Sequence, residues 1–196
     1  MTRATATHYS AAEYLRLERQ SQDKHELING HIVQMSGGTR RHAVICDNLL
    51  IRISPRLRGT TCRAYSAALR LTIKATGNYT YPDLSIVCGE AEMEDREEDT
   101  LVNPRLIIEV LSPSTERHDR GWKFRNYQLI PSFEEYVLIS QEEPRVERFV
   151  RQGDVGWLMT AVTGLEQTVR FSSVNLELPL AEIYEEVVLG VLPGEV

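Results

Sequence analysis

RLIIEVLSPST, residues 105–115, is the stretch that decides the fold of this chain. Every residue from Leu106 to Leu111 is apolar except Glu109. A continuous apolar run of this kind predicts a central strand that is covered on both faces. A carboxylate in such a strand is costly to remove from water unless a cation, a metal ion or a ligand compensates its charge. Glu109 is therefore a candidate site residue. The alternative is a glutamate at a sheet edge whose side chain reaches solvent.

A second carboxylate is expected beside Glu109. Residues 81–88 predict a strand with one apolar face and with Asp83 on the opposite face. If this strand neighbours the strand of Glu109, both carboxylates lie on the same side, near one end of the sheet. Like charges so close repel each other, and a divalent cation relieves the repulsion. A site with oxygen ligands alone suits Mg²⁺ or Mn²⁺. Taken alone, Asp83 also fits a turn residue that follows Pro82.

Three further polar residues are candidates for the same site. Lys123 lies in a helix expected over about residues 116–130, so its ammonium can point back over the carboxylates and neutralise phosphate charge. The alternative for Lys123 is an ordinary helix-surface pair with Asp119 at i,i+4. Glu26 is predicted to be either a rim residue or an additional metal ligand. His42 can act as a base or a phosphate contact, but a lone histidine at a helix start is also typical of a surface or capping residue.

The remaining segments predict one domain over residues 1–196, with its core over about residues 10–187. Its expected fold class is α/β, in the α+β sense of a mixed sheet flanked by helices. Asn29-Gly30 between apolar segments predicts a hairpin, and apolar residues at helical spacing predict a helix over residues 40–54. Further helices are expected over residues 11–20 and 179–187, and further strands over residues 61–75, 134–140, 145–151 and 156–162.

Composition sets limits on the environment and the partners. The chain of 196 residues carries a net charge of −6 with a pI near 5.5, which argues against a protein that coats nucleic acid. An enzyme that contacts a phosphodiester locally remains compatible with this charge, because basic residues can still cluster. We expect no membrane span and no secretory signal, because no apolar run is long enough for either. Cys46, Cys62 and Cys88 have no paired spacing. This spacing argues against zinc and favours reduced thiols in a cytoplasmic protein.

A set of motifs follows one order along the chain. The motifs are ELING at residues 26–30, His42, YPD at residues 81–83, IEVLSPST at residues 108–115, and then Lys123 and Tyr127. This order resembles the Uma family of restriction endonucleases, which belongs to the PD-(D/E)XK nuclease superfamily. The resemblance runs from about Ser10 to Tyr184 and is most specific between Pro104 and Tyr127. It implies a restriction-endonuclease-like core.

The resemblance also implies a metal site and a reaction. The implied ligands of Mg²⁺ or Mn²⁺ are Asp83, Glu109, Glu26 and the backbone carbonyl of Val110. The superfamily usually carries a lysine two positions after the glutamate, where this chain has Leu111, so Lys123 of the next helix would complete the catalytic set. The implied reaction is hydrolysis of phosphodiester bonds in DNA. The alternative is a non-catalytic module that keeps the nuclease fold and binds nucleic acid or protein. Because cutting both strands of a duplex commonly uses two sites, we expect a homodimer.

Overall fold

The computed structural model describes residues 7–189, which form three β-sheets flanked by helices. The helices are α1 (Ala11–Glu18), α2 (Arg40–Arg56), α3 (Glu116–His118), α4 (Phe124–Tyr127) and α5 (Leu180–Ile183). The first seven strands are β1 (His25–Ile28), β2 (His31–Gln34), β3 (Cys62–Ser66), β4 (Arg70–Ile73), β5 (Asn78–Thr80), β6 (Leu84–Cys88) and β7 (Thr100–Leu101). The others are β8 (Leu106–Leu111), β9 (Glu135–Ser140), β10 (Arg145–Arg151), β11 (Trp157–Thr163), β12 (Thr168–Phe171) and β13 (Leu176–Pro179). The expected fold class is confirmed, although the strands form several sheets where one was expected.

The largest sheet has six strands in the order β11-β10-β9-β8-β6-β3. It is mixed, because β8 and β9 run parallel while the other neighbours run antiparallel. All residues of β8 are buried, so the predicted central strand is confirmed. Ile108 and Val110 face one apolar cluster, and Ile107 faces another. Helix α2 covers the first of these faces with Ile45 and Leu49, which follows from their helical spacing.

The second sheet has five strands in the order β2-β1-β5-β4-β7. The predicted hairpin is confirmed, and its turn places Asn29 and Gly30 at φ 49° and 79°, as a tight hairpin turn requires. The single strand expected over residues 61–75 is wrong, because β3 and β4 belong to different sheets. A turn in which the Leu69 N–H donates to the Ser66 carbonyl separates them. This turn carries no glycine or proline, so the alternating pattern concealed it.

Two helix predictions are corrected in their bounds. The helix expected over residues 116–130 ends at Tyr127 and is interrupted between α3 and α4 by a π-turn, Asp119–Lys123. The helix expected over residues 179–187 is confined to α5. Within the described part of the chain, no helix combines the length and the apolar composition that crossing a bilayer requires.

The cysteines also differ from the expectation. Cys62 and Cys88 form a disulfide between the neighbouring strands β3 and β6, while Cys46 is free. The two positions face each other in the strand register, although 26 residues separate them in sequence. The expectation of three reduced thiols is therefore wrong for this pair, because sequence spacing does not show which positions meet across a sheet.

An ion cluster joins α1 to the loop before β7. Arg19 contacts Asp99 at 2.8 Å. Asp99 also contacts Arg70 at 2.8 Å, and the Arg70 side chain is 4% exposed. The hydrogen bond from Arg19, with further help from Thr100 and Arg70, lowers the pKa of Asp99 below its ordinary value. A carboxylate with a lowered folded-state pKa stabilises the fold above its unfolded-state pKa, and this contribution is lost as the pH falls.

Asp99→Asn should lower the free energy of unfolding at neutral pH. We expect a loss of about 1 to 2 kcal/mol, which allows for solvent screening of a carboxylate whose side chain is 34% exposed. The variant should also lose less stability than the parent on acidification below about pH 4. Urea unfolding at neutral pH and at a pH below about 4 measures the free energy of unfolding of both proteins. Asp95→Asn is the matched control, because Asp95 shares Arg19 but does not contact Arg70. Equal losses in the two variants would contradict the prediction.

Candidate active site

Glu109 lies inside the protein, with 3% of its surface exposed. Its Oε1 accepts hydrogen bonds from the Lys123 ammonium at 3.0 Å and from the Tyr127 hydroxyl at 2.9 Å. Burial raises the pKa of Glu109 well above its ordinary value although Lys123 opposes the shift, and the nearby charges of Asp119 and Asp83 raise it further. The alternative of a glutamate at a sheet edge is wrong. Burial and the neighbouring acidic groups thus oppose the ionised form of Glu109, and the Lys123 ammonium favours it.

Asp83 lies immediately before β6, which pairs with β8 as the sequence predicted. Its Oδ2 accepts the backbone N–H of Val110 at 2.7 Å and lies 3.2 Å from His42 Nε2. The bond to Val110 ties Asp83 directly to the strand that carries Glu109. Asp83, Glu109, Val110 and Lys123 line one cavity of about 250 Å³. The structure therefore brings together the acidic pair that the sequence singled out.

Lys123 is 7% exposed, so the alternative that it forms a pair with Asp119 on the helix surface is wrong: the pair exists, but it is buried. Its Nζ lies 3.0 Å from Glu109 Oε1, 3.2 Å from Asp119 Oδ1 and 3.6 Å from Glu26 Oε1. Burial opposes the charged form, but the three carboxylates around it keep the pKa of Lys123 well above its ordinary value. Lys123 ends the π-turn, and such turns occur frequently at functional sites. The turn directs Lys123 and Asp119 inward together.

Glu26 approaches the same ammonium from the second sheet. It is 7% exposed, so the reading as a rim residue is wrong. Its Oε1 accepts the backbone N–H of Tyr81 at 3.2 Å, which ties β1 to the segment before Asp83. Glu26, Asp119 and Lys123 line an adjoining cavity of about 250 Å³. Lys123 thus stands between two cavities and contacts carboxylates on both sides.

The donor set fits a hard divalent cation. Four carboxyl groups and one ammonium line the two cavities. The carboxyl groups belong to Asp83, Glu109, Glu26 and Asp119. Asp119 Oδ1 is buried without a hydrogen bond, apart from its ionic contact with Lys123. Oxygen donors and excess negative charge are what Mg²⁺ and Mn²⁺ require. A bound cation would act together with Lys123 to favour the ionised form of Glu109.

Sequence reasoning missed two residues of this cluster. Asp119 was considered only as a surface partner of Lys123, and Tyr127 had no assigned role. The i,i+4 spacing did show that Asp119 and Lys123 share one face. Whether that face points to solvent or to the interior depends on how the helical segment packs. Local spacing carries no information on that packing.

Tyr127→Phe should destabilise the protein, although it removes only the hydroxyl group and keeps the shape of the aromatic ring. The hydroxyl of Tyr127 donates to Glu109 and lies 3.1 Å from the Thr80 hydroxyl, and the residue is fully buried. We expect a loss of about 0.5 to 1.5 kcal/mol in the free energy of unfolding. Urea unfolding measures it. Tyr65→Phe is the control, because the Tyr65 hydroxyl makes no hydrogen bond to any described residue. A loss no larger than in the control would contradict the role of this hydroxyl.

The matches to other proteins cover nearly the whole chain. Residues 11–181 match the Uma2 family, whose description is "Putative restriction endonuclease". Two uncharacterized proteins of Synechocystis sp. are each 34% identical to this chain. For slr1290 the match covers 89% of this chain and 90% of the relative. For sll1609 it covers 90% of this chain and 99% of the relative.

A solved structure shares the fold. It is described as "a putative nuclease belonging to DUF820" from Anabaena variabilis, and it superposes with a TM-score of 0.72 at 20% identity. The match covers 91% of this chain and 99% of that one. The restriction-endonuclease-like fold expected from the motifs is confirmed. With its motifs, its fold and its match over residues 11–181, the chain belongs to the Uma2 restriction endonuclease family.

Proposed function

We propose that this protein is a metal-dependent endonuclease that hydrolyses phosphodiester bonds in DNA. The observation that carries the proposal is that the half-buried Asp83 and the buried Glu109 and Lys123 line one cavity. A structural core has no need for carboxyl groups that outnumber their cation in a buried place, because each charge is costly to desolvate. Family membership supports the same activity.

The residues of the site divide into metal ligands, a phosphate contact and a positioning residue in the proposed reaction. Asp83, Glu109, Glu26 and the Val110 carbonyl would hold Mg²⁺ or Mn²⁺, which lowers the pKa of a bound water and polarises a phosphoryl oxygen. Lys123 would donate a hydrogen bond to a phosphate oxygen and stabilise its growing charge. Tyr127 orients Glu109 through its hydrogen bond to Oε1.

The loop after β8 supports a phosphate-bearing substrate. Ser112, Ser114 and Thr115 line the same cavity as the acidic pair, and their hydroxyl groups can donate to phosphate oxygens. Arg120, which lies close by in sequence, is already paired with Glu116 and Glu147. The proposed contact with DNA is therefore local, at the cavity, which agrees with the acidic composition of the chain.

Cleavage assays test this proposal. Purified protein is incubated with supercoiled plasmid or single-stranded DNA in Mg²⁺, in Mn²⁺ and in EDTA, together with Asp83→Ala and Glu109→Ala. We expect metal-dependent cleavage by the parent and none by the variants. If a folded parent cuts no substrate, or if both variants cut equally well, the proposal fails. Metal-independent DNA binding by such an inactive parent would favour the non-catalytic module instead.

We also infer that two copies associate. β11 is an edge strand that contains no charged residue, and its Leu158 and Met159 are 54% and 45% exposed. Edge strands are usually protected by charge, so this edge supports pairing with a second copy. Sedimentation should show a dimer, and Thr160→Lys at the centre of β11 should shift it towards a 22.4 kDa monomer. A parent that stays monomeric at high concentration would contradict the inference.

A cytoplasmic location is also proposed. An enzyme that cleaves DNA acts in the compartment that contains the DNA, which we take to be the cytoplasm. Disulfides are rare in the cytoplasm. The Cys62–Cys88 disulfide of the structure makes this location testable, because a cytoplasm should keep that bond reduced for most of the time. Alkylation of intact cells followed by mass spectrometry counts the free thiols. A disulfide that persists under these conditions would contradict the proposed location.

A further inference from the structure

A second group of possible ligands lies behind the acidic pair. His42 and Cys46 stand one turn apart on α2, with His42 Nδ1 3.6 Å from Cys46 Sγ. His42 Nε2 lies 3.2 Å from Asp83 Oδ2. One ligand atom from each of the three residues falls within 4.8 Å of the other two. Small side-chain rotations would bring all three around a single ion.

The chemistry of these donors differs from that of the acidic site. The group offers an imidazole nitrogen, a thiol sulfur and a carboxylate oxygen, whereas the acidic cluster offers oxygen alone. Sulfur and nitrogen donors favour Zn²⁺ and Co²⁺ over Mg²⁺. We propose that His42, Cys46 and Asp83 form a second cation site, for a thiophilic divalent ion such as Zn²⁺, which shares Asp83 with the acidic site.

The surrounding structure holds these residues in place. The Thr39 hydroxyl caps the start of α2 by accepting the backbone N–H of His42, and the Val110 N–H holds Asp83. Three protein ligands leave the fourth position of a tetrahedral ion to a water molecule, unlike a closed structural zinc site. Two divalent cations that share Asp83 repel each other, so a bound Zn²⁺ would weaken the hold of the acidic site on Mg²⁺.

Binding at this site releases a proton. A cysteine binds a metal ion as the thiolate, so the S–H bond breaks when the ion bonds to sulfur and the proton passes to the buffer. The His42 nitrogen that binds the ion must likewise be free of a proton. Calorimetric titration in two buffers of different ionisation enthalpy measures the total number of protons released.

Spectroscopic titration with Co²⁺ tests the site without any assay of cleavage. Metal-stripped full-length protein is titrated with CoCl₂, and we expect the near-ultraviolet charge-transfer band of a cobalt–thiolate bond. Cys46→Ser should abolish the band, and His42→Ala should weaken Co²⁺ binding at least about tenfold. ZnCl₂ at the same concentration should displace Co²⁺, whereas MgCl₂ at that concentration should not.

Two controls separate the site from other effects. Asp47→Asn removes an exposed carboxylate next to Cys46 and should keep the band. The double variant Cys62→Ser, Cys88→Ser should keep it as well, which excludes the other cysteines as the source. Circular dichroism confirms that each variant is folded. No band in the parent, or an undiminished band in Cys46→Ser, would overturn the proposal. Because the probe is Co²⁺ alone, its failure is distinct from a failure of the proposed nuclease activity.

Discussion

Glu109→Gln should reduce metal-dependent DNA cleavage by about a thousand-fold or more. A divalent ion contributes several kcal/mol to stabilising the transition state, and each 1.4 kcal/mol or so corresponds to about a factor of ten in rate. Glutamine has nearly the same shape as glutamate but lacks the charge that would hold the ion. The measurement is the initial rate of plasmid nicking at saturating Mg²⁺.

The same variant should remain folded. The amide oxygen of glutamine can still accept the hydrogen bonds from Lys123 and Tyr127 at this buried position. The Lys123 ammonium also keeps its ionic contacts with Asp119 and Glu26. The melting temperature of the variant in EDTA should therefore stay close to that of the parent, and Mg²⁺ should raise it less. Glu116→Gln, on α3 beside the site, is the matched control and should cut normally. Full activity in Glu109→Gln would exclude Glu109 as a metal ligand.

Lys123→Met should affect both stability and cleavage. Methionine preserves the apolar length of the side chain but leaves three buried carboxylates facing one another, those of Glu109, Asp119 and Glu26. Removing one partner of a buried ion pair costs about 3 to 5 kcal/mol. Loss of a donor to the phosphate charge should lower the cleavage rate by a further 10² to 10³, roughly.

The pH dependence of this variant has a definite sign. Burial already raises the pKa of Glu109, and this substitution removes the Lys123 charge that opposes the shift. A carboxyl group with a raised folded-state pKa makes the fold more stable as the pH decreases. The stability deficit of Lys123→Met should therefore narrow between about pH 7 and pH 5, and Mg²⁺ should narrow it at neutral pH. Urea unfolding with and without Mg²⁺ measures both effects. Lys74→Met, at an exposed position, is the control. A deficit that grows on acidification would show that Lys123 is not the partner of these carboxylates.

The sequence by itself determined the centre of this fold. The apolar run with Glu109 predicts β8 as a strand covered on both faces, because such a strand buries consecutive apolar residues. Asn29-Gly30 predicts the hairpin that carries Glu26, since a tight turn needs positive φ values at both positions. The ordered motifs predict the family and the candidate site residues. The apolar run and the turn are local signals, each within one strand or one hairpin, whereas the motifs act through their order along the chain.

Only the tertiary structure decided which local elements meet, and in what orientation. Residues 61–75 alternate throughout, yet they divide between two sheets. Asp119 and Lys123 share a face in any helical arrangement, but packing of the π-turn decides that this face is interior. The pairing of Cys62 with Cys88 and the meeting of Asp83 with His42 and Cys46 join residues 26 to 41 positions apart. Contacts across such distances depend on the packing of whole sheets and helices, and periodicity within a segment does not encode them.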